Sequence, residues 1–394
     1  MALSSCGVGR PLKVGLFSPY FGSTYGGGEK YLGVTAEVLR DAYPHHQLDL
    51  LSPVPVDRDR YHRVLGIDLR GINLRASVAK VSPAHRLLRK SRLLRPVRNR
   101  VVARRAAQMT AEYDLYLAMI YRIAIPSRAR CGVILCQFPY PTTAGLGGYA
   151  RVICQSEYVR GWVASYWKRD ADVVPPPIDL PATPPDWSLK RQTVLSVGRF
   201  VAGGHVKRHD VMIEAFRRLC DSGLYGWELH LAGGTHDDAA SVRYYRRLET
   251  MADGYPIRLH PDIDLAGLRR LYSEASIYWH AAGYGAPAGD PASLEHFGMT
   301  TAEAMAYGAV PVAVGLGGQP EVVEEDVSGY LWHQPSELEK RTRQLVDDPR
   351  RRLEMAAAAR SQSLAFGREQ FRRKLLAVLS PLIAELETTS VAAC

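Results

Sequence analysis

Residues 295–312 read EHFGMTTAEAMAYGAVPV, and the fold of the chain follows most directly from this stretch. Two carboxylates, Glu295 and Glu303, stand eight residues apart with Gly298 between them. The pattern predicts a helix over 300–307, entered from a glycine loop and followed by a short buried strand. Amides at such a helix start favour a negative group such as a diphosphate. The first carboxylate can then face a sugar and the second can bind ribose hydroxyls, so the stretch predicts a nucleotide-sugar site.

Two series of alternating strands and helices lie on either side of a proline-rich connector at 175–185. The first series opens with a buried strand at 12–17, a glycine-rich turn and a helix over 30–40. The second opens with a strand at 192–197 and reaches a strand at 277–280, shortly before the carboxylate pair. Such alternation is typical of parallel sheets covered by helices, so we predict an α/β fold with two doubly wound halves.

The composition is that of an ordinary globular protein, with 394 residues, 46% hydrophobic and 23% charged. This length is enough for two domains, each with its own core. The sequence contains no run of 18 apolar residues, and its first ten residues lack the apolar core of a signal peptide. Six cysteines without paired spacing predict reduced thiols, and together these features favour a cytoplasmic location.

The net charge of +10 has its main source in one segment. Between Asp68 and Glu112 there are twelve arginines and lysines and no acidic residue. Residues 86–105 have the pattern of a basic amphipathic helix. Such a face could rest on anionic lipid, at about 1 kcal/mol per basic side chain, steer an anionic acceptor, or simply be solvated. Nucleic acid is not predicted as a partner, because aromatic residues do not interleave with the basic ones.

The stretch 295–312 resembles the E-x7-E signature of retaining glycosyltransferases of family 4, which have the two-domain GT-B architecture. The resemblance continues into GGQPE at 317–321 and covers most of the chain. It implies two doubly wound Rossmann-like domains that face each other across a cleft. The acceptor domain would take 1–180, the nucleotide-sugar donor domain 190–365, and a final helix over 366–394 would cross back to the first domain.

The resemblance also implies roles for individual residues of a donor site. Arg199, just after a strand, and Lys207, at a helix start, would stabilise the diphosphate of the leaving group. Glu295 would hold the sugar near the reacting carbon, and Glu303 would bind the ribose. The further donor-binding candidates are Phe297, Gly298, Met299, Thr300, Gly27, Gly28, Gln137 and His280.

Three of these positions leave alternatives open. The segment 201–206 is longer than the common family pattern, so Lys207 and Arg208 compete for the cationic role. Gln137 stands where many members carry a histidine, and glutamine can bind a hydroxyl but cannot titrate. Either Gln137 does only the binding, or the alignment is wrong by one element. His280 resembles the corresponding residue of mannosyltransferases that build lipid-linked glycans, and a purely structural role is the alternative.

Two other sequence motifs are not assigned to a metal or cofactor site. D-x-D occurs at Asp57, Asp170 and Asp262, in places where aspartate commonly caps a helix, so we assign no metal. The glycines at 145–148 lack the preceding strand of a dinucleotide fingerprint, so no NAD is predicted.

The predicted function is therefore retaining, metal-independent transfer of a sugar from a UDP- or GDP-sugar to an acceptor hydroxyl. The nucleotide sugar is a substrate, and no cofactor is expected. The acceptor is a glycan, a glycolipid or a small-molecule scaffold, and the sequence gives neither the base nor the sugar. One alternative is a catalytically inactive nucleotide-sugar-binding protein, for which Gln137 is the only indication. Another is an epimerase or phosphorylase on the same architecture. A basic helix over 86–105 would add peripheral contact with the inner face of the membrane.

Overall fold

The computed structural model describes residues 10–76, 107–120, 126–203, 206–287 and 289–391. The segment 86–105, predicted to be a basic amphipathic helix, lies outside these ranges. The described chain forms two compact units. The first unit runs up to Gln155 and adds Val159–Val174 and the residues from Phe371 onward. The second comprises Ser156–Tyr158 and Pro175–Gln370, so its main part begins inside the predicted proline-rich connector.

The first unit is built on a parallel sheet of seven strands in the order β3-β2-β1-β4-β5-β6-β7. The strands are β1 Lys13–Phe17, β2 Gln47–Ser52, β3 Asn73–Ala76, β4 Leu115–Ile120, β5 Cys131–Cys136, β6 Tyr149–Cys154 and β7 Asp172–Val173. Among the described residues, the helices that accompany them along the chain include α1 Gly27–Ala42, α2 Arg58–Leu65 and α3 Glu157–Trp167.

The last helix of the chain, Arg368–Val391, packs into the core of the first unit. Phe371, Leu375, Leu379 and Ile383 recur every four residues, so they share one face of the helix, and all four are buried. The ring of Phe371 meets the ring of Tyr31 edge-on, with centroids 5.1 Å apart. The hydrophobic core of this unit therefore joins residues from both ends of the sequence.

The second unit is built on a parallel sheet of six strands in the order β10-β9-β8-β11-β12-β13. The strands are β8 Arg191–Val197, β9 Glu228–Gly233, β10 Ile257–Pro261, β11 Ala275–His280, β12 Val310–Val314 and β13 Tyr330–Trp332. The helices are α4 His209–Asp221, α5 Ala239–Ala252, α6 Leu265–Glu274, α7 Met299–Ala306, α8 Gln319–Val322, α9 Pro335–Asp347 and α10 Pro349–Ser363; the last helix of the chain, described above, is α11. Two parallel sheets with helices confirm the predicted α/β class.

The strand order of the second unit places a crevice between β8 and β11. These strands are neighbours in the sheet, but the chain continues from β8 to β9 on one side and from β11 to β12 on the other. A sheet of this kind opens for ligands at the carboxyl ends of the two strands where the order reverses. Arg199 and His280 lie at these two strand ends, and α7 follows β11 in the chain.

Candidate functional site

The loop that carries Glu295 is held in place by glycines that leave no room for a side chain. Gly298 caps α7 in the left-handed region, at φ 112°, and a Cβ there would lie 2.3 Å from Nε2 of Gln319. Gly317 also has a positive φ, 65°, and a Cβ there would lie 2.1 Å from the carbonyl oxygen of Glu295. The Gly318 N–H donates to that same carbonyl at 2.7 Å. Only glycine tolerates positions 298 and 317, and this packing fixes the backbone of Glu295.

One oxygen of the Glu295 carboxylate is shared by two basic side chains. Lys207 Nζ donates to Oε2 at 2.6 Å, and His280 Nε2 lies 3.2 Å from the same oxygen. His280 is buried at the end of β11, and this burial lowers its pKa although Glu295 opposes the shift. The ring is therefore neutral at pH 7, with the Nε2 proton directed at the carboxylate.

Arg208, the other candidate for the cationic role, is engaged elsewhere. Its Nη1 donates to the carbonyl oxygen of Tyr284 at 2.5 Å, and its Nε donates to Asp210 Oδ1 at 3.1 Å. Its backbone has a φ of 54°, in the left-handed region. The structure thus brings Lys207, and not Arg208, to the carboxylate of Glu295.

Arg199 presents a guanidinium that is available to an anion. Its side chain is exposed, and within the described part of the chain it makes no hydrogen bond or ion pair. The neighbouring Gly198 leaves room for Lys207, because a Cβ at this position would lie 2.5 Å from the Lys207 Cγ. The Lys207 side chain therefore packs against the backbone at the end of β8, directly before Arg199.

Glu303 and Thr300 are held by two buried tyrosines. Tyr272 Oη donates to Glu303 Oε2 at 3.1 Å, and Tyr278 Oη donates to Thr300 Oγ1 at 2.7 Å. Because the two acceptor residues are three positions apart on α7, they lie on one face of the helix. Sequence reasoning did not identify either tyrosine as a site residue. The available signal was the residue type, since a buried tyrosine hydroxyl usually has a hydrogen-bond partner.

Phe297 and Met299 offer the site their backbone more than their side chains. The ring of Phe297 is buried against Phe366, with centroids 5.1 Å apart and edge to face. Met299 packs against the same apolar cluster. The side chain of Phe297 is therefore a core group, while the α7 amides can still face a ligand.

The remaining candidates lie in the first unit. Gly27 and Gly28 open α1, where the Gly26 N–H donates to Glu29 Oε2 at 3.0 Å. Gln137 directly follows β5, its N–H donates to the carbonyl oxygen of Ile120 at 3.3 Å, and its side chain is half-buried. Both places are at the carboxyl ends of strands of their own sheet.

Within the described ranges, a group of three side chains with metal-ligand chemistry occurs at His45, His46 and Glu387. The Leu12 N–H donates to His46 Nδ1 at 3.3 Å, which leaves the proton of a neutral ring on Nε2. That nitrogen lies 3.3 Å from Glu387 Oε1. It makes no hydrogen bond among the described residues, whereas His45 Nε2 is hydrogen-bonded to the same carboxylate oxygen at 3.3 Å. Two aspartates of the D-x-D motifs act as helix caps, Asp57 for α2 and Asp264 for α6.

No helix among the described residues is both long enough and apolar enough to cross a membrane.

Comparison with known proteins relates the second unit to a family of sugar-transferring enzymes. Residues 184–362 match the family model described as Glycosyl transferases group 1. A D-inositol 3-phosphate glycosyltransferase of Xylanimonas cellulosilytica is 30% identical over 225 residues, which cover 52% of this chain and 50% of the relative. A GDP-Man:Man(3)GlcNAc(2)-PP-Dol alpha-1,2-mannosyltransferase of Dictyostelium discoideum is 24% identical over 259 residues, 60% of this chain and 48% of the relative. The chain thus spans about half the length of these curated relatives.

Solved structures match nearly the whole chain. Sucrose-phosphate synthase of Thermosynechococcus elongatus aligns with a TM-score of 0.70 at 17% identity, covering 95% of this chain and 100% of that one. HepE of Anabaena, solved in complex with UDP and glucose, aligns with a TM-score of 0.66 at 15% identity, covering 94% of this chain and 99% of that one. At such identities the likeness shows the fold, and that fold is GT-B, with two Rossmann-like domains.

Proposed function

We propose that this chain, whose residues 184–362 match the model of the glycosyl transferases group 1 family and which has a GT-B fold, transfers a sugar from a nucleoside-diphosphate donor to an acceptor hydroxyl. One observation carries the proposal. Lys207 contacts Glu295 beside the glycine-capped start of α7, and the exposed cation Arg199 ends the neighbouring strand. This arrangement supplies positive charge and amide donors for a diphosphate, next to a carboxylate for a sugar.

Each group has a distinct part in this proposal. The amides at the start of α7 bind the diphosphate, and Arg199 with Lys207 neutralises the charge that grows on it as the glycosidic bond breaks. Glu295 accepts hydrogen bonds from the sugar hydroxyls, and Glu303 accepts them from the ribose. The donor complex of the Anabaena protein HepE, which holds UDP and glucose, supports a nucleotide sugar as the substrate class.

We further propose that transfer retains the configuration of the sugar. The acceptor oxygen bonds to the anomeric carbon on the face that the phosphate leaves, and the acceptor proton passes to the departing phosphate oxygen. The bond from the anomeric carbon to the phosphate oxygen breaks in the same event. No resident cofactor and no metal are required, because Arg199 and Lys207 provide the cationic charge. Undiminished turnover in EDTA is the expected result, and loss of turnover that Mg²⁺ restores would contradict the metal-free step.

The first test is thermal melting of the protein with UDP, GDP and ADP. At a hundredfold excess over its dissociation constant, a ligand adds about 2.7 kcal/mol of stability, which is several degrees at about 2–4 °C per kcal/mol. One nucleotide should stabilise the native protein and lose that effect in Glu303→Ala. The matched control is Glu339→Ala, which removes a glutamate paired with Arg218 on the surface of the same unit. No shift with any nucleotide would contradict the proposal.

A second candidate is a nucleotide-sugar-binding protein without transfer activity. The observation that favours it is Gln137 at the end of β5, which cannot titrate. Release of nucleoside diphosphate from the sugar donor in the presence of acceptor separates the two functions. A transferase releases it and loses the activity in Glu295→Ala, whereas a pure binder only loses affinity for the donor.

The acceptor is proposed to carry a phosphate or another anionic group. The two curated relatives are named for an inositol 3-phosphate and for a diphosphate-linked glycan. A net charge of +10 on this chain suits such acceptors through electrostatic steering.

A further inference from the structure

We infer that Tyr272 is a positioning residue, which orients the Glu303 carboxylate for the ribose of the donor. The inference rests on the proposed function, because it assigns a second residue to the same donor site. The Tyr272 side chain is buried. It acts through the hydrogen bond from its Oη to Glu303 Oε2, at 3.1 Å.

The Tyr272 side chain is fixed on both sides of that hydrogen bond. It is only 2% exposed, and its ring stacks on Tyr307 with centroids 5.6 Å apart and planes at 22°. Burial, followed by the charge of Glu303, raises the pKa of Tyr272 well above its usual value. The hydroxyl therefore stays protonated near neutral pH and remains a hydrogen-bond donor.

The backbone of Tyr272 is tethered as well. Lys190 Nζ donates to the carbonyl oxygen of Tyr272 at 3.3 Å and to that of Ala275 at 2.7 Å. These carbonyls belong to the end of α6, where backbone acceptors lack partners within the helix. The Lys190 contacts thus hold the helix end from which the Tyr272 ring reaches Glu303.

A fixed donor on one carboxylate oxygen has a consequence for ligand binding. Glu303 has a flexible side chain, and a free carboxylate would have to be ordered when the ribose binds. A hydroxyl held by the core orders it in advance, so binding loses less side-chain freedom. This gain in affinity applies only to the part of the ligand that Glu303 is proposed to contact, which is the pair of ribose hydroxyls.

Tyr278 provides a matched control within the same buried cluster. Its ring centroid lies 6.4 Å from that of Tyr272, and its hydroxyl also donates to α7, but to Thr300. The Tyr278 hydroxyl oxygen also lies 3.4 Å from the backbone nitrogen and from the backbone oxygen of Val197. Replacing Tyr278 by phenylalanine removes a buried hydroxyl of the same kind while leaving the contact with Glu303 in place.

The experiment compares the dissociation constants of UDP and 2′,3′-dideoxy-UDP by calorimetry, with GDP and 2′,3′-dideoxy-GDP measured in the same way. Wild-type protein should prefer the ribose form of its nucleotide by about tenfold or more, as expected for hydrogen bonds to a charged group. Tyr272→Phe should reduce this ratio to about threefold or less. Tyr278→Phe should keep the wild-type ratio, even if its overall affinity changes.

The outcomes separate this inference from the proposed function. If Tyr272→Phe binds UDP and dideoxy-UDP with the wild-type ratio, Tyr272 does not position Glu303, although nucleotide binding still supports the donor site. Equal loss of the ratio in both tyrosine variants would point to general loosening of the cluster and would also overturn the assignment. Failure of the wild type to bind either nucleotide pair would instead contradict the proposed function. Should Tyr272→Phe not fold, Glu303→Gln tests the other partner, and retention of the ratio there overturns the inference.

Discussion

Lys207 Nζ lies 2.6 Å from Glu295 Oε2, so an ion pair joins two residues that are 88 positions apart in the sequence. Both side chains are about one-fifth exposed, at 20% and 18%. In the proposed reaction Lys207 binds the diphosphate and Glu295 binds the sugar. A diphosphate that takes Lys207 must therefore compete with the carboxylate that already holds it.

The competition predicts opposite effects of Glu295→Gln on binding and on turnover. The glutamine side chain is uncharged, so it cannot form an ion pair with Lys207. The substitution also removes a negative charge close to the diphosphate. UDP or GDP without a sugar should bind as tightly as to the wild type or up to about fivefold more tightly, since partly exposed pairs contribute up to about 1 kcal/mol. Sugar transfer should fall by at least about tenfold. Calorimetry and a nucleotide-release assay measure the two effects, and clearly weaker binding of the bare nucleotide would contradict the competition.

Substitution of Lys207 should affect the diphosphate far more than substitution of its neighbour. Lys207→Met removes a charge-assisted hydrogen bond, which corresponds to about 1.5–3 kcal/mol or at least about tenfold in affinity for UDP or GDP. Arg208→Gly suits the φ of 54° at that position and leaves Lys207 intact, so affinity should stay within about threefold. Calorimetry on both variants decides the matter. Equal losses would mean that Arg208 also serves the diphosphate.

The elements around Glu295, Lys207 and Arg208 show which features the sequence could predict and which it could not. The spacing of Glu295 and Glu303 predicted a loop-to-helix junction, and α7 begins at Met299, one residue before the predicted start, because Gly298 caps it. The alternation of strands predicted both parallel sheets, since each element follows from local pattern. The choice between Lys207 and Arg208 did not follow from the sequence. It depends on a contact with a loop 88 residues away, and no local pattern encodes such a contact.

The same limit applies to the tyrosines of the donor site. Tyr272 meets Glu303 across 31 residues, from a different helix. Periodicity can indicate which face of a helix is buried, but it does not say what a buried hydroxyl bonds to. Contacts of this kind are set by the packing of α6 against the sheet and α7, and they become visible only in three dimensions.

Acid should destabilise the protein through His209, which opens α4. Burial lowers the pKa of His209 to about 3, whereas the unfolded residue titrates near 6.5. Between these values the unfolded chain binds one more proton, so stability is complete above pH 6.5 and is lost as the pH falls toward 3. The slope from this residue is about 1.4 kcal/mol per pH unit. Melting temperatures between pH 7 and 5 measure it, above the range in which most carboxylates titrate.

His209→Phe should reduce that slope, because phenylalanine fills the aromatic pocket beside Phe200 without taking up a proton. The two rings lie 4.7 Å apart in the native protein. His236→Phe, at an exposed position, is the control and should leave the slope unchanged. An identical slope in wild type and His209→Phe would show that other groups cause the acid sensitivity.

Gln319 carries a buried amide whose replacement should stabilise the protein. The residue is 0% exposed, and neither its side-chain nitrogen nor its oxygen has a hydrogen-bond partner among the described residues. Leaving such groups unsatisfied costs about 1–3 kcal/mol, and leucine has a similar volume without polar atoms. Gln319→Leu should therefore raise the melting temperature by about 2–4 °C per kcal/mol recovered. Gln344→Leu, on the exposed face of α9, should stay within about 0.5 kcal/mol of the wild type. A fall in melting temperature for Gln319→Leu would indicate that ordered water satisfies the amide beside Gly298.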